Sequence, residues 1–491
     1  MSDIAPINKS TAVKNSIWKL LESFLSKGIS MMVSIILARL LMPEAYGVIA
    51  LTTVFINLTD ILIQAGFATT LIRKEKVTDE DYSTVLCISV ISATVLYAII
   101  FFSAPYIADI YKTPQLTSVL RVLSLTIFCQ AFAAVRTAAI TRAMRFRTLF
   151  VCTIISNILS GTIGIVLAVL GYGVWALVFQ QLSYHVLLTI ILFFTVRIRY
   201  TFHVSKNSIQ EIVPPSLKIL SSSLLSFSGD SLYSVAIGKV YSLKELGYYD
   251  KGALFPRSFS LYTFSAVSNV FLPVFASYQN DYDKLNSIFR RVLNVSCYII
   301  FPMMAGLSMI AEPLVSVVLT DKWLPVVGIL RWSSLYYVAT PIFLANVQLH
   351  FAIGRNATRI KAEIFRISLM IVMFIGLMIA KVSVITISAI LALIQIIVAV
   401  YMMIETQRAT GYKIRNTLVD ILPSTISVIC MCVCIYAVSF IPASNLVLLI
   451  VEILVGAVVY LLTSKLFKNK AYQELISMLV PLVKSRGKKH A

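Results

Sequence analysis

SFLSKGISMMVSIILARLLMPEAYG, Ser23–Gly47, returns 200 residues later as SLLSFSGDSLYSVAIGKVYSLKELG, Ser223–Gly247. Ser23, Ser26, Ser34, Arg39 and Gly47 align with Ser223, Ser226, Ser234, Lys239 and Gly247, and further on Asp81-Tyr82 aligns with Asp281-Tyr282. At an offset of 210, Leu120-Arg121 aligns with Leu330-Arg331, Ser124-Leu125 with Ser334-Leu335, and Arg145 and Thr148 with Arg355 and Thr358. The change of offset reads as one insertion between a third and a fourth helix. Chance likeness between Ser-rich apolar stretches is the competing explanation. Matches that keep their order across four helices make it a poor one.

Around this repeat the composition is that of a membrane protein. Of 491 residues, 58% are hydrophobic and only 13% charged, where soluble domains carry about 25%. That excludes a string of soluble domains, a disordered chain and a disulfide scaffold. A bilayer-spanning helix needs about 20 mainly apolar residues. Fourteen segments qualify: 16–40, 45–70, 83–104, 116–140, 148–170, 174–196, 216–240, 248–275, 289–311, 324–350, 361–380, 383–404, 418–440 and 444–464. The expected fold is an all-α polytopic membrane protein of two six-helix bundles plus two C-terminal helices. Six is even, so both bundles start on the same side, and the repeat is parallel with its pseudo-twofold axis along the membrane normal. The expected division is a lobe over 1–199, a linker over 200–215, a second lobe over 216–410, two extra helices over 411–466 and a basic tail over 467–491. Met1–Ser16 is polar and shows no cleavable signal peptide.

Lys and Arg number 42 against 22 acids, a net charge of +20. In a soluble chain this would raise nucleic acid as a partner. Here the basic residues cluster between apolar runs, so no nucleic-acid role is expected. The even connections hold Arg73, Lys74 and Lys76; Arg142, Arg145 and Arg147; Arg197, Arg199 and Lys206; Lys284, Arg290 and Arg291; Arg355, Arg359 and Lys361; and Arg408, Lys413 and Arg415. The odd connections are poor in them, apart from the seventh with Lys239, Lys244 and Lys251. Basic loops stay cytoplasmic, which puts both termini in the cytoplasm, as an even number of spans requires. Tyr200–Ile212 and Tyr472–Val483 read as helices lying on the membrane surface, with plain solvated linker as the equal alternative.

No catalytic or energy-coupling motif is found. Gly238-Lys239 lacks the first glycine of a phosphate-binding loop, and neither G-x-S-x-G nor H-E-x-x-H occurs. Cys430, Cys432 and Cys434 sit about 200° apart around a helix and cannot converge on one metal. The chain is not expected to be an enzyme, to bind a metal or to carry a cofactor.

What remains is polarity inside the apolar spans, where an ionised side chain costs about 2.5–3.5 kcal/mol. Ser23, Ser26, Lys27, Ser30 and Ser34 form one stripe on the first helix, and Asn57, Asp60 and Gln64 another on the second. The seventh repeats it with Ser222, Ser226, Asp230 and Ser234, and the eighth carries Asp250, Lys251, Arg257 and Ser260. These stripes are expected to line a central cavity whose cations hold an anionic ligand through charge-assisted hydrogen bonds. The acids, Asp60 and Asp230, would neutralise the empty site or bind a coupling cation. Structural ion pairing is the alternative for any one of them. Arg136 is a further anion contact or a snorkelling side chain.

Ala38–Gly47 (ARLLMPEAYG), Gly171–Leu177 (GYGVWAL) and Asp321–Pro325 (DKWLP) followed by Leu330-Arg331 resemble the bacterial polysaccharide exporter family. Its members are Wzx-type oligosaccharide flippases of the multidrug/oligosaccharidyl-lipid/polysaccharide superfamily, and the colanic-acid exporter branch is the most similar. The resemblance runs from about Trp18 to Leu466. It implies translocation of an undecaprenyl-diphosphate-linked oligosaccharide by alternating access, coupled to H+, Na+ or membrane potential rather than ATP. The setting it implies is capsule, exopolysaccharide or lipopolysaccharide biosynthesis. In related flippases, cations on the first, second and eighth helices meet the diphosphate. This sequence offers Lys27 on the first and Lys251 and Arg257 on the eighth, but Asn57, Asp60 and Gln64 on the second, with Arg136 as substitute. The implied partners are the lipid-linked oligosaccharide, membrane lipids and polymerase machinery, with the chain acting as a monomer. Two alternatives stand beside this reading. A multidrug/cation antiporter would favour an acidic cavity, which Lys27 and Arg257 oppose. A membrane polysaccharide polymerase or ligase would need a large external loop, which the sequence lacks.

Overall fold

The structure is a computed structural model that describes residues 9–74, 77–196, 198, 205–278, 281–380 and 382–474. Every element assigned among the described residues is helical, and no strand occurs among them. Nine of these helices are long and apolar enough to cross a membrane, and the chain is a multi-pass membrane protein. It divides into two compact units, Met1–Gly247 and Tyr248–Ala491.

The first unit holds α1 (Lys9–Leu40), α2 (Pro43–Asp60) with a π-helical continuation over Ile61–Ala68, α3 (Thr69–Arg73), α4 (Asp79–Ile110), α5 (Gln115–Leu123), α6 (Thr126–Arg142), α7 (Phe146–Val169), α8 (Val174–Thr195), α9 (Lys206–Val240) and the first turn of α10 (Leu243–Ser277). A π-helix widens the backbone ladder and is rare outside functional segments. Here it carries Gln64. Helix α4 starts on a capping box: Asp81 N–H donates to Thr78 Oγ1 and Thr78 N–H to Asp81 Oδ2. Beside it the Lys74 ammonium reaches Asp81 at 2.8 Å and Glu211, on α9, at 2.7 Å. Burial alone would lower the Lys74 pKa, but hydrogen bonds to both carboxylates outweigh it and raise it. Arg142 donates to the Leu71 carbonyl at 3.2 Å and also bonds the Lys74 carbonyl. The end of the second span is thereby tied to both α6 and α9.

Two close approaches in this unit need glycine. A Cβ on Gly47 would overlap the Leu243 carbonyl oxygen, and one on Gly247 would overlap the Pro43 carbonyl. The repeat offset of 200 maps 43 onto 243 and 47 onto 247, so the two contacts are each other's counterpart, as an isologous twofold contact requires. Glu44 and Lys244, also related by that offset, pair at 3.4 Å.

In the second unit α10 continues to Ser277 and is followed by α11 (Tyr282–Met309), α12 (Ala311–Val318), a 3-10 turn over Asp321–Trp323, α13 (Val326–Val338), α14 (Thr340–Ala352), α15 (Asn356–Ala380), α16 (Val384–Thr410), α17 (Ile414–Val438) and α18 (Asn445–Leu466). Asp281 caps α11 by accepting from the Lys284 N–H at 3.1 Å. Its repeat partner Asp81 sits in the start of α4, so one aligned pair serves two helix starts. The interval where the offset grows is occupied by α12 and the 3-10 turn. Trp323 of the D-K-W motif is fully buried there, edge-on to Tyr248 at 6.0 Å. The core gathers Phe289, Leu293, Cys297, Ile300 and Met304 along one face of α11. Helices α17 and α18 pack on α11, and the Tyr460 hydroxyl donates to the Tyr298 carbonyl at 2.7 Å.

The five other sequence-predicted spans are the helices α1, α9, α10, α13 with α14, and α15. Of the two expected surface helices, residues 200–204 and 475–483 lie outside the described residues. Residues 206–212 are the opening turns of α9, and Ile212 is fully buried rather than lying on a surface.

Candidate functional site

The stripe on α1 meets α7. Asn157 Nδ2 donates to Ser26 Oγ at 2.7 Å, and Ser30 Oγ lies 3.0 Å from Asn157 Oδ1 and 3.0 Å from the Ser26 carbonyl. The helices come this close because α7 offers Gly161 and Gly164, on one face at i, i+3 spacing. A Cβ on Gly161 would stand 2.5 Å from a Val33 methyl, and one on Gly164 2.7 Å from Gln180 Cβ on α8. Helices α1 and α8 therefore both converge on α7, and between the three lies a cavity of about 350 Å³.

Every residue of its described lining carries a polar side-chain group. Helices α1 and α7 contribute Ser26, Lys27, Ser30 and Asn157, and α8 contributes Gln180, Gln181, Tyr184 and His185. Lys27 and Ser30 are exposed on the cavity side, whereas Ser26 and Asn157 are buried. The Tyr184 and His185 rings meet edge-to-face at 5.2 Å. No carboxylate belongs to this described lining. Such a set can hydrogen-bond in both directions and offers one ammonium to an anion.

The other sequence-predicted residues are distributed as follows. Asn57 on α2 is exposed and Asp60 half-buried. Gln64 and Asp230 lie in described helical backbone, but their side chains are outside what the structure describes. Lys251 is only 5% exposed on α10. Arg257 is paired with Asp250, two turns earlier on the same helix, at 3.6 Å. Arg136, 2% exposed, stacks its guanidinium 4.8 Å from the Phe193 ring and donates to the Phe132 carbonyl at 3.2 Å. It is not part of the cavity lining.

Sequence reasoning missed the uncharged half of this site, Asn157 and the α8 residues. A signal existed: Cys152, Thr153, Ser156, Asn157, Ser160, Gly161 and Gly164 fall at helical spacing along α7, but none is charged. It also missed a buried pair in the second unit. On α15, Arg366 Nε donates to Glu363 Oε2 at 2.9 Å, and Arg366 Nη1 to the Tyr336 hydroxyl at 3.1 Å. Both fall inside the predicted span 361–380, at i, i+3 spacing close to its basic end, and the stripes singled out from the sequence did not include them.

Comparison with known proteins agrees with this architecture. The chain is 26% identical over 331 residues to the succinoglycan biosynthesis transport protein ExoT of Rhizobium meliloti (strain 1021), covering 67% of each chain. It is 22% identical to the teichuronic acid biosynthesis protein TuaB of Bacillus subtilis (strain 168), over 60% of this chain and 62% of that one. To the lipopolysaccharide biosynthesis protein WzxC of Escherichia coli (strain K12) it is 21% identical, over 64% of each. Among solved structures, the lipid II flippase MurJ in an inward closed conformation superposes with a TM-score of 0.72 over 94% of this chain and all of that one, at 17% identity. An inward-facing multidrug resistance MATE family transporter of the MOP superfamily gives 0.59 over 78% and 94%, also at 17%. The fold is thus that of MurJ and the MATE transporters. Residues 36–328 match the family model described as polysaccharide biosynthesis protein. On that match, which spans more than half its length, the chain belongs to the polysaccharide biosynthesis protein family.

Proposed function

We propose that the chain translocates an undecaprenyl-diphosphate-linked oligosaccharide across the bacterial cytoplasmic membrane by alternating access, supplying surface-polysaccharide assembly. The relatives named for succinoglycan, teichuronic acid and lipopolysaccharide biosynthesis support a polysaccharide precursor as cargo. The observation that carries the reading is Lys27, an ammonium on the serine-rich stripe of α1 that lines a cavity with no carboxylate in its described lining. That arrangement suits an anionic, hydroxyl-rich cargo and disfavours the cationic drugs of a multidrug antiporter. Lys27, Lys251 and Arg257 are assigned to the diphosphate along the transport route, with Asn57 and Gln64 as neutral contacts and Arg136 as a further cation. Asp60 and Asp230 are assigned to coupling with H+ or Na+. The chain carries out transport without catalysis, with fourteen spans in two six-helix lobes plus two helices, and with both termini cytoplasmic.

The test replaces the chromosomal copy with Lys27→Ala or Arg257→Ala and measures surface polymer against protein level in the membrane. A charge-assisted hydrogen bond is worth about 1.5–3 kcal/mol, so each variant should lower export by about tenfold or more. Wild-type output from both variants overturns the diphosphate assignment. Run across pH and sodium concentration, the same assay checks Asp60, since Asp60→Asn should flatten whichever dependence the wild type shows.

A further inference from the structure

The α8 side of the cavity has no role in what is described above. Helix α8 crosses the apolar layer as one of the nine candidate spans, yet it turns Gln180, Gln181, Tyr184 and His185 into the cavity in one and a half turns. The side chains of Gln180 and Gln181 hydrogen-bond to no other described residue. Both amides are half-buried and face the one cavity, so an occupant that supplies donors and acceptors together would engage both at once.

We infer that this part of the cavity is a saccharide subsite, in which Gln180, Gln181 and His185 bind the hydroxyls of the sugar nearest the diphosphate while Lys27 holds the anion at the cavity's exposed edge. Each glutamine amide presents an acceptor and two donors, which matches a pair of neighbouring sugar hydroxyls. The adjoining Tyr184 and His185 rings offer faces for the apolar side of a pyranose. At about 350 Å³ the cavity lies at the small end of the range for ligand sites, ~300–1,000 Å³. It therefore takes a monosaccharide rather than a whole repeat unit. A metal or alkali cation is a poor alternative, because Lys27 repels it and no carboxylate in the described lining compensates its charge. A bare diphosphate would leave the amides unused. The subsite selects for the reducing-end sugar, and it rests on the lipid-linked oligosaccharide reading.

The experiment uses the purified full chain in lipid nanodiscs. The probes are undecaprenyl diphosphate and its glucosyl, galactosyl and N-acetylglucosaminyl derivatives. In the wild type, at least one glycosyl lipid should bind about tenfold more tightly than the sugar-free lipid, a gain equal to one or two net hydrogen bonds. Gln181→Leu and His185→Phe should each erase most of that increment while undecaprenyl diphosphate binds as before, which also shows that the variants are folded. The inference is overturned if no sugar improves wild-type binding, if the variants keep the increment, or if they weaken both kinds of lipid equally. If the wild type binds none of the four, the flippase reading has failed, and the subsite fails with it.

Discussion

Asn157 commits both ends of its amide to α1, one to Ser26 and one to Ser30, and so holds the helix that carries Lys27. Replacing it with alanine leaves the buried Ser26 hydroxyl without this donor and opens a gap beside it. An unmade buried hydrogen bond costs about 1–3 kcal/mol. Asn157→Ala should therefore lower the thermal midpoint of the detergent-solubilised protein by a few degrees and reduce export. An unchanged midpoint would show that α1 is held by the glycine-mediated packing alone. The contrast with Lys27 explains what was legible at this scale. A charge in an apolar run is conspicuous because its insertion cost demands an explanation. An asparagine or glutamine costs less and occurs often in helices, so Asn157, Gln180 and Gln181 gave no comparable signal. Arg257 was legible as a residue but not as a pair: its partner Asp250 is on its own helix, and the sequence reading placed both in one polar stripe without pairing them.

Gly47 and Gly247 were visible as aligned positions, but sequence alone could not say why glycine occupies both. The first turn of α10 crosses the first turn of α2 so closely that backbone carbonyls occupy the space a Cβ would need. Backbone, unlike the end of a flexible side chain, cannot turn aside. Gly47→Ala and Gly247→Ala should each cost about 1–3 kcal/mol through overpacking. Because the two contacts are counterparts, the losses should be similar. Near-wild-type melting and export for either variant would mean that the crossing spreads without cost. The helix breaks were less legible. Helix α5 gives way to α6 at Ser124-Leu125 with no proline or glycine to mark it, and α13 gives way to α14 at Ala339, where Pro341 in the first turn of α14 is the one local mark. Each reads in sequence as one continuous apolar span. The π-helical stretch after Asp60 was invisible for the same reason, since a widened ladder leaves no mark on hydropathy.

For the whole molecule, the excess of 42 basic over 22 acidic residues predicted an orientation with one exception, the lysines around the seventh connection. The structure gives that exception a physical account. Helix α9 ends at Val240 and α10 begins at Leu243, so the connection itself is Tyr241-Ser242 and carries no charge. Lys239 is the last-turn cation of α9 and donates its ammonium to the Ile110 carbonyl at 2.9 Å, where helix C-terminal carbonyls attract cations. Lys244 pairs with Glu44, and Lys251 is buried along α10. None of the three is a loop charge free to be retained on the cytoplasmic side, so they should not count in the positive-inside balance. The topology that follows can be tested by single-cysteine labelling with a membrane-impermeant maleimide on intact spheroplasts, in a cysteine-free background. Gly171→Cys, in the turn between α7 and α8, and Ser242→Cys should both label from outside. Arg145→Cys, between α6 and α7, should label only after permeabilisation. If Ser242→Cys is protected while Gly171→Cys labels, the seventh connection is cytoplasmic, the spans before it are odd in parity relative to this assignment, and the parallel six-plus-six arrangement is wrong.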